Sequence, residues 1–134
     1  MEKYFNMPAV VIGLFGGFLG GFDKLTHAVI LFMIIDYLSA TLIAIYNKQL
    51  SSEIGFKGII KKIFILLTIG VAVEVNKIVP DIPLREMVLS FYIANEGISI
   101  LENICKINAV PHELKQVFLQ LRGDNERWIK TWLF

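Results

Sequence analysis

The sequence predicts an all-α integral membrane protein with three to four transmembrane helices and an amphipathic helix at its C-terminal end, on the cytoplasmic side. Apolar stretches of near-bilayer length recur along the chain, separated by short charged intervals. Hydrophobic residues make up 55% of the 134 positions and charged residues 19%, with a mean hydropathy of +0.62. That is high for a water-soluble domain, which must clothe its core in a polar shell. Four acids, Asp36, Glu74, Glu96 and Glu102, lie inside these apolar stretches. At membrane depth an ionisable group is expensive and faces a protein interior or a water-filled cavity. The chain reads as a single domain over residues 1–134, without a long linker, internal repeat or low-complexity tract.

The first apolar segment covers residues 4–22, free of charge between Lys3 and Asp23. As a helix it would reach about 28 Å, close to the hydrocarbon thickness, and it is either a span or a re-entrant anchor. A basic start before an apolar run also describes a signal peptide. Pro8 and five glycines interrupt this run, however, and no small-x-small cleavage site follows, so the segment is expected in the mature protein. Its glycines Gly13, Gly16, Gly17, Gly20 and Gly21 include three pairs spaced by four. In a helix that spacing lets backbones approach closely, which suggests self-association or tight packing within one copy.

The second segment, 25–46, is the strongest, broken only by His27 and Asp36 and closed by Asn47-Lys48-Gln49. The third, 59–79, opens with Lys61-Lys62, carries Glu74 and Lys77, and stops at Pro80-Asp81-Ile82-Pro83. Lys57, Lys61 and Lys62 read as a basic cytoplasmic loop held to the surface by anionic lipid. The fourth, 84–105, contains Glu96 and Glu102. The last two segments would pass as core helices of a soluble bundle, but the apolarity of the first two favours helices shielded by neighbours in a bilayer. Beyond them, 111–134 is an amphipathic tail: Leu114, Val117, Phe118 and Leu121 share one face, and 128–134 mixes tryptophan with a cation as interfacial peptides do.

Polar residues inside the spans fall on faces. In the fourth segment Tyr92, Asn95, Glu96, Ser99, Glu102, Asn103 and Lys106 recur at three- and four-residue spacings, so that face cannot look at lipid. Asp36, Ser39, Ala40 and Asn47 make a shorter stripe in the second segment; Gly70, Glu74 and Lys77 make one in the third, where Glu74 and Lys77 are spaced to pair. Such stripes either line a pore or hydrogen-bond between helices to fix their packing.

With four crossings, one side of the membrane collects Lys3, Lys48, Lys57, Lys61, Lys62, Lys106, Lys115, Arg122, Arg127 and Lys130, and the other only Lys24, Lys77 and Arg85. The positive-inside bias then places both termini in the cytoplasm; three crossings orient the last three segments the same way. A net charge of +1 offers no case for nucleic acid. Cys105 is the single cysteine, without a disulfide or metal partner, and His27 and His112 are isolated. Neither a phosphate-cradling loop nor a matched nucleophile and base is present, so neither an enzyme nor a cofactor is expected.

Three ordered motifs carry a resemblance: Ile34-Ile35-Asp36-Tyr37-Leu38-Ser39-Ala40, then Leu50-Ser51-Ser52-Glu53-Ile54-Gly55-Phe56-Lys57-Gly58-Ile59-Ile60-Lys61-Lys62, then Phe91-Tyr92-Ile93-Ala94-Asn95-Glu96-Gly97-Ile98-Ser99-Ile100-Leu101-Glu102-Asn103. Together they resemble the phage-type holin family, which includes the holin-like toxin secretion proteins of clostridia; the likeness spans roughly residues 22–122. The resemblance implies a homo-oligomer in the bacterial cytoplasmic membrane that forms a pore or lesion. Its functional partner would be a wall hydrolase (endolysin) or an exported toxin, and it brings no catalytic residues with it. The residues alone also admit a non-lytic ion or proton channel, a transporter component, or a membrane adaptor using the basic loop and tail.

Overall fold

The structure, a computed structural model, describes residues 6–107 together with His112, Glu113, Gln116, Val117 and Gln120, which are helical. The amphipathic tail expected over 111–134 otherwise lies outside the described residues. Four helices follow one another, α1 (Met7–Phe18), α2 (Lys24–Tyr46), α3 (Ser52–Ile78) and α4 (Leu84–Cys105), and the described residues contain no strand.

Local signals set the boundaries. Asn6 caps α1, its side chain accepting from the Ala9 N–H, with Pro8 in the first turn. The helix ends where Gly20 and Gly21 take φ of +80° and +109°, and the Gly21 and Gly20 amides donate back to the Gly16 and Gly17 carbonyls at 2.7 and 3.2 Å. This double bond pattern satisfies carbonyls the helix leaves open. Asp23 then caps α2 by accepting from the Thr26 N–H at 2.9 Å. At the far end of α2, Lys48 adopts φ 54° and the chain makes the same closure, Gln49 donating to Ala44 at 2.8 Å. Ser51 caps α3 through the Ile54 N–H at 3.2 Å. The start of α4, behind Pro83, lacks a side-chain cap of its own. Asn76 of α3 serves instead: its side-chain oxygen accepts from the Arg85 N–H at 2.7 Å and its amide donates to the Ile82 carbonyl.

Helices α2 and α4 run parallel and pack closely along their length, with α3 antiparallel beside α4; α2 and α3 meet little. Leu19, Val29, Met33, Ile65, Ile69 and Leu89 form the apolar core. The polarity of the molecule is inverted relative to a water-soluble bundle. Arg85, Glu96, Asn103 and Thr26 are buried, whereas Leu31, Leu38, Leu42, Phe64, Leu67 and Phe91 point outward. Such a surface suits hydrocarbon, and the interior keeps the polar groups away from it.

By length and composition, α2 is the described helix that qualifies to cross a membrane. Helices α3 and α4 have 27 and 22 residues, enough to cross, but charge interrupts their apolar runs. Helix α1, at 12 residues, reaches about 18 Å and falls short of the hydrocarbon core. It lies on the surface of the bundle, with Gly16 its only buried residue.

Two expectations are corrected. Gly20 and Gly21 follow the end of α1 in a turn, so the pairs Gly16–Gly20 and Gly17–Gly21 are not stacked on one helix face, and Gly13–Gly17 alone keeps that spacing. Nor are Lys57, Lys61 and Lys62 in a loop: the Ser51 cap starts α3 at Ser52, before the apolar run at 59, and all three are helical.

Candidate functional site

At mid-length of the bundle three charges from three helices converge. The Lys62 ammonium of α3 contacts the Asp36 carboxylate of α2 at 2.5 Å and the Glu96 carboxylate of α4. Glu96 is completely buried, and the Lys62 and Asp36 side chains keep only 15% and 14% of their exposure. Asn103, in the last turn of α4, donates to Asp36 Oδ1 at 3.0 Å and to Ser39 Oγ at 2.9 Å. Ser39 in turn donates to the Asp36 carbonyl at 3.0 Å.

Helical periodicity explains why these groups meet. Asp36 and Ser39 are three apart on α2, and Glu96 and Asn103 seven apart on α4, so each pair lies on one face of its helix. The parallel packing of α2 and α4 turns the two faces together, and Lys62 reaches in from α3. Two carboxylates share one ammonium, and Glu96 Oε1 has no hydrogen-bond partner among the described residues. Burying ions is costly unless every lone pair is satisfied, so this centre is stabilised less completely than a one-to-one pair would be.

The remaining stripe residues are placed as follows. Asn95 and Ser99 are half-buried on α4, with the Ser99 hydroxyl donating to the Asn95 carbonyl at 3.1 Å, and Glu102 is half-buried on the same helix. Glu74 stands apart: it points out of the bundle and pairs with Lys77 at 2.7 Å on its own helix. Lys57 pairs with Glu53 at 3.5 Å on the exposed start of α3, and Lys61 is exposed. Lys62 therefore differs from its neighbours, because its side chain turns inward.

A second polar cluster closes the opposite end of the bundle. Arg85, buried at the start of α4, donates to the Leu19 carbonyl at 2.7 Å, the Gly21 carbonyl at 3.2 Å, Thr26 Oγ1 at 2.7 Å and both oxygens of Asp23. That guanidinium holds the Asp23 carboxyl well below the usual carboxylate range. In the sequence Arg85 figures only among the charges that set orientation. The signal for its role was an arginine at the mouth of an apolar segment, with an acidic helix cap available at the start of another.

The seam between α2 and α3 is open on one side. An apolar groove of about 330 Å³ runs between them, lined by Phe15, Met33, Tyr37, Ile63 and Leu66, with Lys62 at its edge. A further opening of about 580 Å³ lies where the two helices approach their shared loop, beside Tyr37, Thr41 and Gly55. Among the described residues no cluster of His, Cys, Asp and Glu is placed to hold a metal ion.

Comparison with known proteins places this arrangement in context. The family model described as the bacteriophage holin family matches residues 13–123. An uncharacterised protein of Listeria monocytogenes is 41% identical over 108 residues, covering 79% of this chain and 77% of its own length. An uncharacterised 14.9 kDa protein from the nagH 3' region of Clostridium perfringens is 36% identical over 125 residues, covering 90% and 95%. A protein of Bacillus phage phi105 named probable holin is 29% identical over 112 residues, covering 82% and 83%. No solved structure matches the chain.

Proposed function

The chain belongs to the bacteriophage holin family, and from that membership we propose that it oligomerises in the bacterial cytoplasmic membrane and opens a lesion there. Through the lesion a wall hydrolase or a large exported protein leaves the cytoplasm, and lysis follows when the cargo is an endolysin. Helices α2, α3 and α4 cross the bilayer, and α1, too short to cross, inserts part way or lies against it. Lys48, Lys57 and Lys106 gather at the cytoplasmic end, and Lys24, Lys77 and Arg85 at the other, in keeping with the positive-inside bias.

The observation that carries this reading is the inverted polarity: an exterior of leucine, isoleucine and phenylalanine around a polar centre of Asp36, Lys62, Glu96 and Asn103. Groups already gathered on inner helix faces can line water once several copies assemble, without any charge having faced lipid. The chemistry asked of the protein is permeability, which needs no catalytic residue and no cofactor.

The test is induced expression in bacteria with and without a co-expressed cytoplasmic wall hydrolase. Lysis that requires both proteins is the expected result. Loss of ion gradients without hydrolase escape would replace the lesion with a narrow channel, and intact gradients with intact cells would leave only a membrane adaptor.

A further inference from the structure

We propose that the Lys62 ammonium is a releasable tie across the seam between α2 and α3, and that opening this seam exposes the Asp36–Glu96 face to water as the lesion forms. The inference rests on the lesion-forming reading above and specifies its moving part.

The three helices are not bound to one another equally. Helices α2 and α4 share long packing, reinforced by the Asn103 bonds to Asp36 and Ser39 and by close approach of Phe32 to Gly97. Helix α3 packs on α4 but barely touches α2. Tyr37 lies against Gly58, where an added β-carbon would sit 3.4 Å from its ring, and the apolar groove flanks this contact. Among the described polar contacts, Lys62 to Asp36 is the one that joins α3 to α2. Lys62 thus closes a seam that side-chain packing leaves weak.

The same centre supplies a reason for the tie to let go. One ammonium serves two carboxylates, and among the described residues Glu96 Oε1 is buried without a hydrogen-bond partner. Water reaching Glu96 gives it the bonds that the closed bundle denies, so hydration favours the open state at this position. The apolar groove reaches Lys62 from outside the bundle, which makes the seam the place where an apolar face of a neighbouring copy can press the helices apart and let water follow from the bundle's end. Two discrete packings, one tied and one hydrated, are what a switch element requires.

The experiment uses the full chain in a Cys105→Ala background, with Tyr37→Cys and Gly58→Cys on facing sides of the seam that the Tyr37 ring bridges, and with the cross-seam disulfide verified by mass spectrometry of the oxidised protein before leakage is scored. Leakage of a folded cytoplasmic reporter is followed before oxidation, after oxidation and after reduction. The tie predicts loss of leakage on oxidation and recovery on reduction; unchanged leakage from the oxidised protein overturns it. In parallel, Lys62→Met should bring leakage forward and Glu96→Gln, which leaves a one-to-one pair, should delay it at equal membrane amounts. Unchanged onset in Glu96→Gln overturns the tie even where Lys62→Met fails to accumulate. If the Cys105→Ala protein itself releases no reporter under any condition, the failure belongs to the lesion-forming reading and not to the tie.

Discussion

At Arg85 a single guanidinium joins the start of α4 to the α1–α2 turn and to the first turn of α2, using acceptors that only a planar, multi-donor group can reach together. Lysine there would keep the charge but abandon several acceptors in a buried place. Arg85→Lys should therefore lose about 3 kcal/mol of stability, measured by thermal unfolding in detergent micelles. Asp23 adds a pH dependence whose sign is fixed by its depressed pKa. Its contribution is present above the ordinary carboxylate value of 3.8 and fades as pH falls below that. The stability gap between wild type and Asp23→Asn should be constant near neutrality and shrink in strong acid. Because the Asp23 side chain is 48% exposed, solvent screens the pair and the gap should be modest. Residue-level legibility was uneven in an instructive way. Asp36, Glu96 and Asn103 were visible because charges and amides inside apolar helical runs are anomalous wherever they occur. Lys62 was not, because a lysine beside Lys61 near the start of an apolar run reads as interfacial, and its inward direction depends on where α3 begins and what lies across from it.

Among the elements, the start of α3 and the end of α1 departed most from expectation, and each has a local cause. Hydropathy located α3 by its apolar run, whereas Ser51 starts the helix earlier by capping the Ile54 amide; the capping signal was in the sequence but weaker to the eye than the apolar block. In α1 the glycine spacing suggested one long packing face, but the αL conformations of Gly20 and Gly21 end the helix before the pattern completes. This separates two substitutions that spacing alone would equate. A β-carbon on Gly17 meets nothing within 4 Å, so Gly17→Leu should leave the monomer folded while reducing crosslinked oligomers, if α1 is an association face. Gly20 has φ +80° and sits against the Arg85 side chain, so Gly20→Leu should destabilise the fold itself. Thermal unfolding and crosslinking of both variants check the distinction: a Gly20→Leu protein as stable as wild type would contradict the turn, and unchanged oligomers in Gly17→Leu would remove α1 from the interface.

For the whole molecule, the helical class and the segment order were legible because bilayer-length apolar runs leave few alternatives, while the pairing of α2 with α4 was not, since nothing local specifies which faces meet. The resulting bundle gathers its buried charges at mid-length, and the proposed orientation puts Lys48 and Lys57 on the cytoplasmic side and Lys77 on the other. Cysteines replacing Lys48 or Lys57 should react with a membrane-impermeant thiol reagent only after the cytoplasm is opened, and one replacing Lys77 should react in intact spheroplasts; the reverse pattern would invert the topology. The most direct test of lesion formation is the efflux of a folded fluorescent protein from the cytoplasm of wall-less spheroplasts on induction of this chain, compared with the efflux of potassium. A lesion releases both together, at a defined time after induction. Sustained potassium loss with full retention of the folded protein would contradict it.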